Sequence, residues 1–379
     1  MTRRQWLAIT ASAAASNAQD GLNTHGAARD LLYQALEQLS TRAKPTQVRE
    51  AISLIRGALD QYPGFGDAYY FRHLCLKRLN QDARQQARDL RDAQKYESEA
   101  LREGLDPFTL AVPKIDVDLT IVAQKWALVI GISQFKKPNG ATPLQYAAAD
   151  ATVFAELLRD PKIGRFPPQQ VFLLVNEAAT TANIKARLNT IARKAGSRDM
   201  VVVYIATHGT PREQDLREIS FLYTHDTDTS SRDAIFGSAL SMVDVSMILV
   251  NRCLAQRTVS IFDTCHSGAA NPGLALSKSD MNRFTDGAGR YVLSSCGADQ
   301  YAYEADGHGY FTASLVGKLR AARGCVKIND LFQSVQAEVS STVRKKHGKL
   351  QTPVMLKSDS AAEIILGIAP GRAVETCLS

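Results

Sequence analysis

No stretch of this 379-residue chain approaches the ~20 consecutive apolar residues that span a bilayer, so a membrane-embedded protein is not expected. There is no CxxC pair, and neither the six cysteines nor the seven histidines fall at metal-ligand spacing. A zinc-organised fold and a dense disulfide framework are both disfavoured. Most of Cys75, Cys253, Cys296, Cys325 and Cys377 read as small buried hydrophobes. The formal charge of +7 is spread along the chain, with no basic block interleaved with aromatics. A nucleic-acid partner is therefore not expected, although acidic partners are mildly favoured. No EF-hand-like loop is present, and no cofactor is implied.

Two short runs stand out against this plain background. Val201-Val202-Val203-Tyr204-Ile205-Ala206-Thr207-His208-Gly209 is one, and Val259-Ser260-Ile261-Phe262-Asp263-Thr264-Cys265-His266-Ser267-Gly268 is the other. Each is an apolar, β-branched run ending in a reactive residue near glycine, the pattern of a buried parallel strand. Open α/β sheets bind ligands outside the carboxyl ends of their strands. His208 and Cys265, 57 residues apart in sequence, would then share one crevice. A thiol beside an imidazole is the minimal equipment for covalent acyl transfer.

The rest of the chain divides by texture. Residues 1–20 hold Arg3-Arg4 followed by a short, small-residue stretch, which resembles a twin-arginine export signal; the alternative is a frayed cytoplasmic N-terminus. Residues 21–103 read as helical hairpins. Ala28, Leu31, Leu32, Ala35, Leu36 and Leu39 form one stripe, and Pro45 opens a second helix with Val48, Ile52, Ile55 and Leu59 on one face. The junction around Tyr62-Pro63 and Ala68-Tyr69-Tyr70 is tetratricopeptide-like. Only about two such repeats fit, fewer than a free-standing solenoid needs, so the region leans on the rest of the chain or on a protein partner. The charged residues from Asp82 to Glu103 read as a solvated helix. A linker at 104–124 follows.

From 125 to 368 strands alternate with helices, predicting a mostly parallel sheet with helices on both faces. Strands are expected at 126–131, 170–175, 200–206, 258–263, 290–295 and, last, 362–366. Helices are expected near 146–159, 180–195, 240–254, 310–322 and 328–345. The domain would consist of a large part (125–268), a flexible loop (269–290) and a small part (291–368), with a tail at 369–379.

These residues resemble the caspase–metacaspase family of cysteine peptidases. Asp263-Thr264-Cys265-His266-Ser267-Gly268 is similar to the metacaspase nucleophile motif, and Tyr204 to Gly209 to the strand that ends in the family's His-Gly. Leu144 to Ala151, Ser295 to Glu304, Gly309 to Leu315 and Gln351-Thr352-Pro353 match in the same order. The histidine precedes the cysteine by a spacing similar to that of the caspase signature, about 50 residues. Two departures are Ala206-Thr207, where the family usually has Ser-Gly, and Gln134-Phe135, where Asn and Tyr are more common.

The chemistry expected follows. Cys265 attacks as the thiolate, and His208 helps generate it and protonates the leaving amine. The N–H groups of Gly209 and Cys265 would hold the oxyanion. A backbone carbonyl suffices to orient the imidazole, so no third acid is assigned. By the resemblance, Asp263 and Asp150 line the pocket for the residue before the scissile bond, favouring protein or peptide substrates with Arg or Lys there. Lys278 and Arg283 in the loop would then be self-cleavage sites, or the loop is not cut. Asp226 and Asp228 read as turn acids, with the pocket or a calcium site as the alternative, and calcium activation stays open. His266 is taken as structural, and His25, His73, His225, His308 and His347 as surface or packing residues. Two other readings stay open: a catalytically silent scaffold, and a transpeptidase or acyl transferase on the same fold.

Overall fold

The computed structural model describes residues 25–109, 122–136, 140–210, 220–264, 278–285, 289–297, 300–305, 307–358 and 363–370. Cys265, His266, Gly268, Cys377 and the twin-arginine-like start lie outside the described residues. The chain forms two compact units, one drawn from Met1–Leu119 with Ala192–Ser197, the other from Thr120–Ile191 with Arg198–Ser379.

The first unit is helical: α1 (His25–Glu37), α2 (Pro45–Gln61), α3 (Gly66–Arg78), α4 (Ala83–Lys95) and the short α5 (Glu99–Arg102). Proline opens α2, where its missing N–H costs nothing. The expected stripes are the buried ones: Ala28, Leu32, Ala35, Leu36 and Leu39 pack with Val48, Ile52, Ile55 and Leu59. The charged stretch after Asp82 is not one solvated helix. It breaks between Lys95 and Glu99, where Glu97 takes φ 49°. Asp89 on α4 is buried, and its two oxygens accept from Nε and Nη2 of Arg72 at 2.9 and 2.6 Å. That bidentate pair ties α4 to α3.

Asp67, in the first turn of α3, accepts from Ser98 Oγ at 2.7 Å and from the N–H of Ala100 at 2.9 Å. Its other oxygen is buried without a hydrogen-bond partner. Burial is the main cause that lifts its carboxyl from 3.8 to about 6. The folded state therefore holds this proton more tightly than the unfolded chain. Its contribution to stability falls as pH rises between about 4 and 6, by about 3 kcal/mol in all. Asp67→Asn keeps the accepting oxygen and removes the buried charge. Its melting temperature relative to wild type is expected to rise from pH 4 to pH 7; a constant difference would show that Asp67 does not carry this pH dependence.

In the second unit a six-stranded sheet is built from β1 (Lys125–Gly131), β2 (Val171–Val175), β3 (Met200–Thr207), β6 (Arg257–Thr264), β7 (Arg290–Ser294) and β10 (Val354–Lys357). The spatial order is β10-β7-β6-β3-β1-β2, parallel except for β10, which runs antiparallel to β7. Each of β1, β3, β6 and β7 is buried at every residue, which explains their continuous apolar reading. The helices are α6 (Ala147–Arg159), α7 (Thr181–Lys194), α8 (Arg232–Ser238), α9 (Met242–Ser246), α10 (Lys278–Phe284), α11 (Tyr310–Ala321) and α12 (Ile328–His347). Two short hairpins complete the unit: β4 (Phe221–Leu222) with β5 (Leu240–Ser241), and β8 (Glu304–Ala305) with β9 (His308–Gly309).

Several sequence expectations need correction. The last strand is β10, not 362–366. Ile364, Ile365 and Leu366 are buried, but only Ile365 makes a bridge, to Lys327, so their apolar run serves docking. The expected helix 240–254 starts as β5, and α9 passes into a wider π-helical turn over Met247–Arg252. Residues 269–290 are not loop throughout, since α10 carries both Lys278 and Arg283. Cys75, Cys253 and Cys296 are free and buried as expected, whereas Cys325 is disulfide-bonded.

Candidate active site

The parallel pairing of β3 and β6 sets the frame. Ala206 aligns with Asp263 and Thr207 with Thr264. His208 and Cys265 are the next residues in sequence on these neighbouring strands, and Cys265 itself is not among the described residues.

His208 is half-buried and held from two sides. Its Nε2 lies 2.8 Å from the carbonyl oxygen of Thr142. A carbonyl only accepts, so Nε2 carries the proton and Nδ1 is the basic nitrogen of the neutral ring. Phe135 stacks on the imidazole with centroids 5.5 Å apart, and Tyr223 meets its edge at 6.3 Å. The segment that carries Phe135 is fixed by Asn176, whose Oδ1 accepts the N–H groups of Ser133 and Gln134 at 2.9 and 3.1 Å. Nδ1 of His225 contacts the Gln134 carbonyl at 2.8 Å, so His225 is a packing residue. The unusual Phe135 is thus a ring support for His208.

Gly209 forms an antiparallel bridge with Leu222. That bridge is made by the N–H of Thr210 to Phe221 and the N–H of Tyr223 to His208, both at 2.9 Å. In such a pair the central N–H points away from the partner strand, so β4 does not consume the N–H of Gly209.

The two carboxylates lie deeper. Gly131 at the end of β1 lets α6 approach closely: a Cβ there would sit 2.3 Å from the Ala147 carbonyl and 2.5 Å from the Ala151 side chain. This close approach sets Asp150, in the first turn of α6, beside the strand ends. Asp150 is fully buried, and its oxygens are held by Nδ1 of His308 at 2.6 Å and by the N–H of Gly309 at 2.9 Å. Asp263 accepts from Thr312 Oγ1 at 2.6 Å, and Thr312 Oγ1 lies 2.7 Å from the hydroxyl of Tyr204. Because the threonine proton goes to Asp263, Tyr204 donates to Thr312. The buried hydroxyls thus form a relay ending on the carboxylate. Burial, and then the charge of Asp263, raise the Asp150 carboxyl to about 7, against the N–H of Gly309 and the contact with His308.

The structure therefore brings Asp150 and Asp263 into electrostatic contact, and it adds His308 and Thr312, which sequence reasoning did not assign. The sequence suggests a surface or packing role for His308; in the structure it is a partner of Asp150. The pairing spans 158 residues, and no local pattern signals it. Asp226 caps instead of joining the site: its Oδ1 accepts from the N–H of Thr181 at 3.0 Å and from Thr224 Oγ1 at 2.8 Å. Asp228 Oδ1 accepts from the N–H of Ser230 at 2.8 Å. Among the described residues, no group of three or more His, Cys, Asp or Glu side chains is arranged to hold a metal ion. No described helix is long and apolar enough to cross a membrane.

The fold and this cluster define an α/β domain with its candidate site at the carboxyl ends of a parallel sheet. The caspase-domain model of the peptidase C14 family matches residues 124–363, and the chain belongs to that family of cysteine peptidases, whose substrates are proteins. The crystal structure of protein GSU0716 from Geobacter sulfurreducens is similar to it at 17% identity and a TM-score of 0.48, over 66% of this chain and 99% of that one. No curated protein matches the chain.

Proposed function

We propose that this chain is a cysteine endopeptidase of the metacaspase type that cuts after Arg or Lys. The observation that carries the reading is the buried pair Asp150 and Asp263 beside the strand ends that lead to His208 and Cys265. Nδ1 of His208 takes the thiol proton of Cys265, and the thiolate attacks the scissile carbonyl. The N–H groups of Gly209 and Cys265 receive the oxyanion. The imidazolium then protonates the leaving amine, and water hydrolyses the acyl-enzyme. The Thr142 carbonyl supports this assignment, because it fixes the tautomer that leaves Nδ1 as the base. Two carboxylates at one pocket favour a guanidinium or ammonium and repel an acidic side chain.

The helical first unit is read as a tetratricopeptide-like module that recruits a protein partner. Self-cleavage at Lys278 or Arg283 requires α10 to unwind, since a peptidase cleft takes its substrate extended.

The test is turnover of fluorogenic peptides with Arg, Lys, Asp or Leu before the scissile bond, with and without calcium, by the full chain and by Cys265→Ala. Arg or Lys peptides are expected to exceed the Asp peptide by at least about a hundredfold in kcat/KM, with no turnover by Cys265→Ala. Cleavage only after Asp would sink the pocket assignment. Amine transfer in preference to hydrolysis, seen with an added acceptor, would select the transpeptidase reading.

A further inference from the structure

Both pocket carboxylates are closed off from solvent. Asp150 has 0% exposure and Asp263 1%. Of the two groups that hold Asp150, one is the main-chain N–H of buried Gly309, and the other is the His308 side chain, which is 38% exposed. His308 sits on β9, one half of a hairpin with only two residues per strand. Its imidazole reaches the carboxylate from the solvent side with a single nitrogen, the contact a substrate cation would make.

We infer that His308 is a built-in occupant of the basic-residue pocket, a side chain of the protein itself that holds Asp150 until a substrate Arg or Lys displaces it. The inference rests on the reading of Asp150 and Asp263 as the pocket acids. Its physical motive is the cost of burying two adjacent carboxylates. The ring nitrogen of His308 at Asp150 relieves part of that cost in the empty protein. A guanidinium relieves it better, because its planar fork bonds both oxygens of a carboxylate or bridges two acids. The displaced imidazole returns to solvent at small cost, since it is partly exposed already. A side chain without charge offers no such exchange, so the occupant also sharpens discrimination against neutral residues.

Among the described residues, the charge of Asp263 from β6 acts on Asp150 and on Cys296 after β7, and Glu304 lies opposite Gly309 in the hairpin. Asp150 takes up its proton as pH falls through about 7, which removes the charge that holds a cation. Cation binding therefore weakens at acid pH.

The experiment uses agmatine, a free guanidinium side chain, titrated calorimetrically into the full chain carrying Cys265→Ala, so that no turnover is needed. Adding His308→Ala is expected to tighten agmatine binding at pH 6.5 by about fivefold or more, as removal of a competing internal state predicts. His308→Gln, which keeps a donor without the ring, is expected to give a smaller gain in the same direction, and it carries the test if the alanine variant does not fold. Unchanged or weaker binding in the folded variants would overturn the inference and make His308 a scaffold for Asp150. Agmatine binding to none of these proteins would overturn it as well. Peptide turnover separates the two readings. A chain that cleaves nothing after Arg or Lys, yet binds agmatine more tightly without His308, loses the peptidase assignment and keeps the occupied pocket.

Discussion

His208→Ala is expected to lower kcat/KM for peptides with Arg before the scissile bond by about a thousandfold or more. The size follows from what the proposed mechanism asks of the ring twice in one turnover: to accept the thiol proton and later to deliver a proton to the leaving amine. His225, the nearest alternative by sequence, is committed to the Gln134 carbonyl. The Thr142 contact makes the prediction sharper. Because Nε2 is tied to a carbonyl at 2.8 Å, ring orientation survives changes around it, and Phe135→Ala is expected to cost far less than His208→Ala. Alkylation of Cys265 by iodoacetamide gives a readout independent of substrate. Wild type is expected to react through a low-pH thiolate population that His208→Ala lacks. A loss below about tenfold, with an unchanged alkylation profile, would remove His208 from the chemistry.

The frame of the site was legible because buried parallel strands advertise themselves. The runs ending at Thr207 and Thr264 are continuous and β-branched, and their ends are predicted within one residue. Tyr204 carried a further hint, since a hydroxyl in an otherwise apolar strand needs a partner, and Thr312 supplies it. What stayed hidden shares one physical trait: it depends on contacts with no local period. The Thr142 carbonyl has no side-chain signature. The β8–β9 hairpin has two-residue strands, too short for alternation to register. The His308–Asp150 pair forms only because Gly131 lets α6 press against β1 and the hairpin returns to meet it. At 362–366 the apolar pattern was real, but it reflects docking and not pairing. The antiparallel β10 was missed because its residues are only half-buried and do not read as a core strand.

Lys125→Ala is expected to destabilise the second unit by about 3–5 kcal/mol, although Lys125 lies at the amino end of β1, opposite the site. It opens the expected catalytic domain in sequence, and nothing local marks it as buried. The structure gives it no exposure at all. Its Nζ donates to the carbonyls of Gly164 at 2.5 Å, Ile368 at 2.8 Å and Leu366, and it lies 4.1 Å from the centre of the Phe166 ring. Burial, and then the neighbouring Arg165 guanidinium, push the amine well below the usual lysine range. Three carbonyls and an aromatic face oppose that push, since only the ammonium has three N–H groups to give. Arg165 repeats the device one residue along, donating to the Gly367 carbonyl at 2.8 Å. Together the two cations clasp residues 366–368 to the foot of the sheet. Alanine removes the cation, orphans three buried carbonyls and leaves a cavity. Lys125→Met fills most of the cavity but still orphans the carbonyls, so it is expected to recover only part of the loss. For a unit of this size the alanine change corresponds to a melting temperature lower by about 10 °C. Calorimetry of the full chain checks the ordering. If methionine restores wild-type stability, packing alone holds this corner, and the hydrogen bonds of the buried ammonium contribute nothing net.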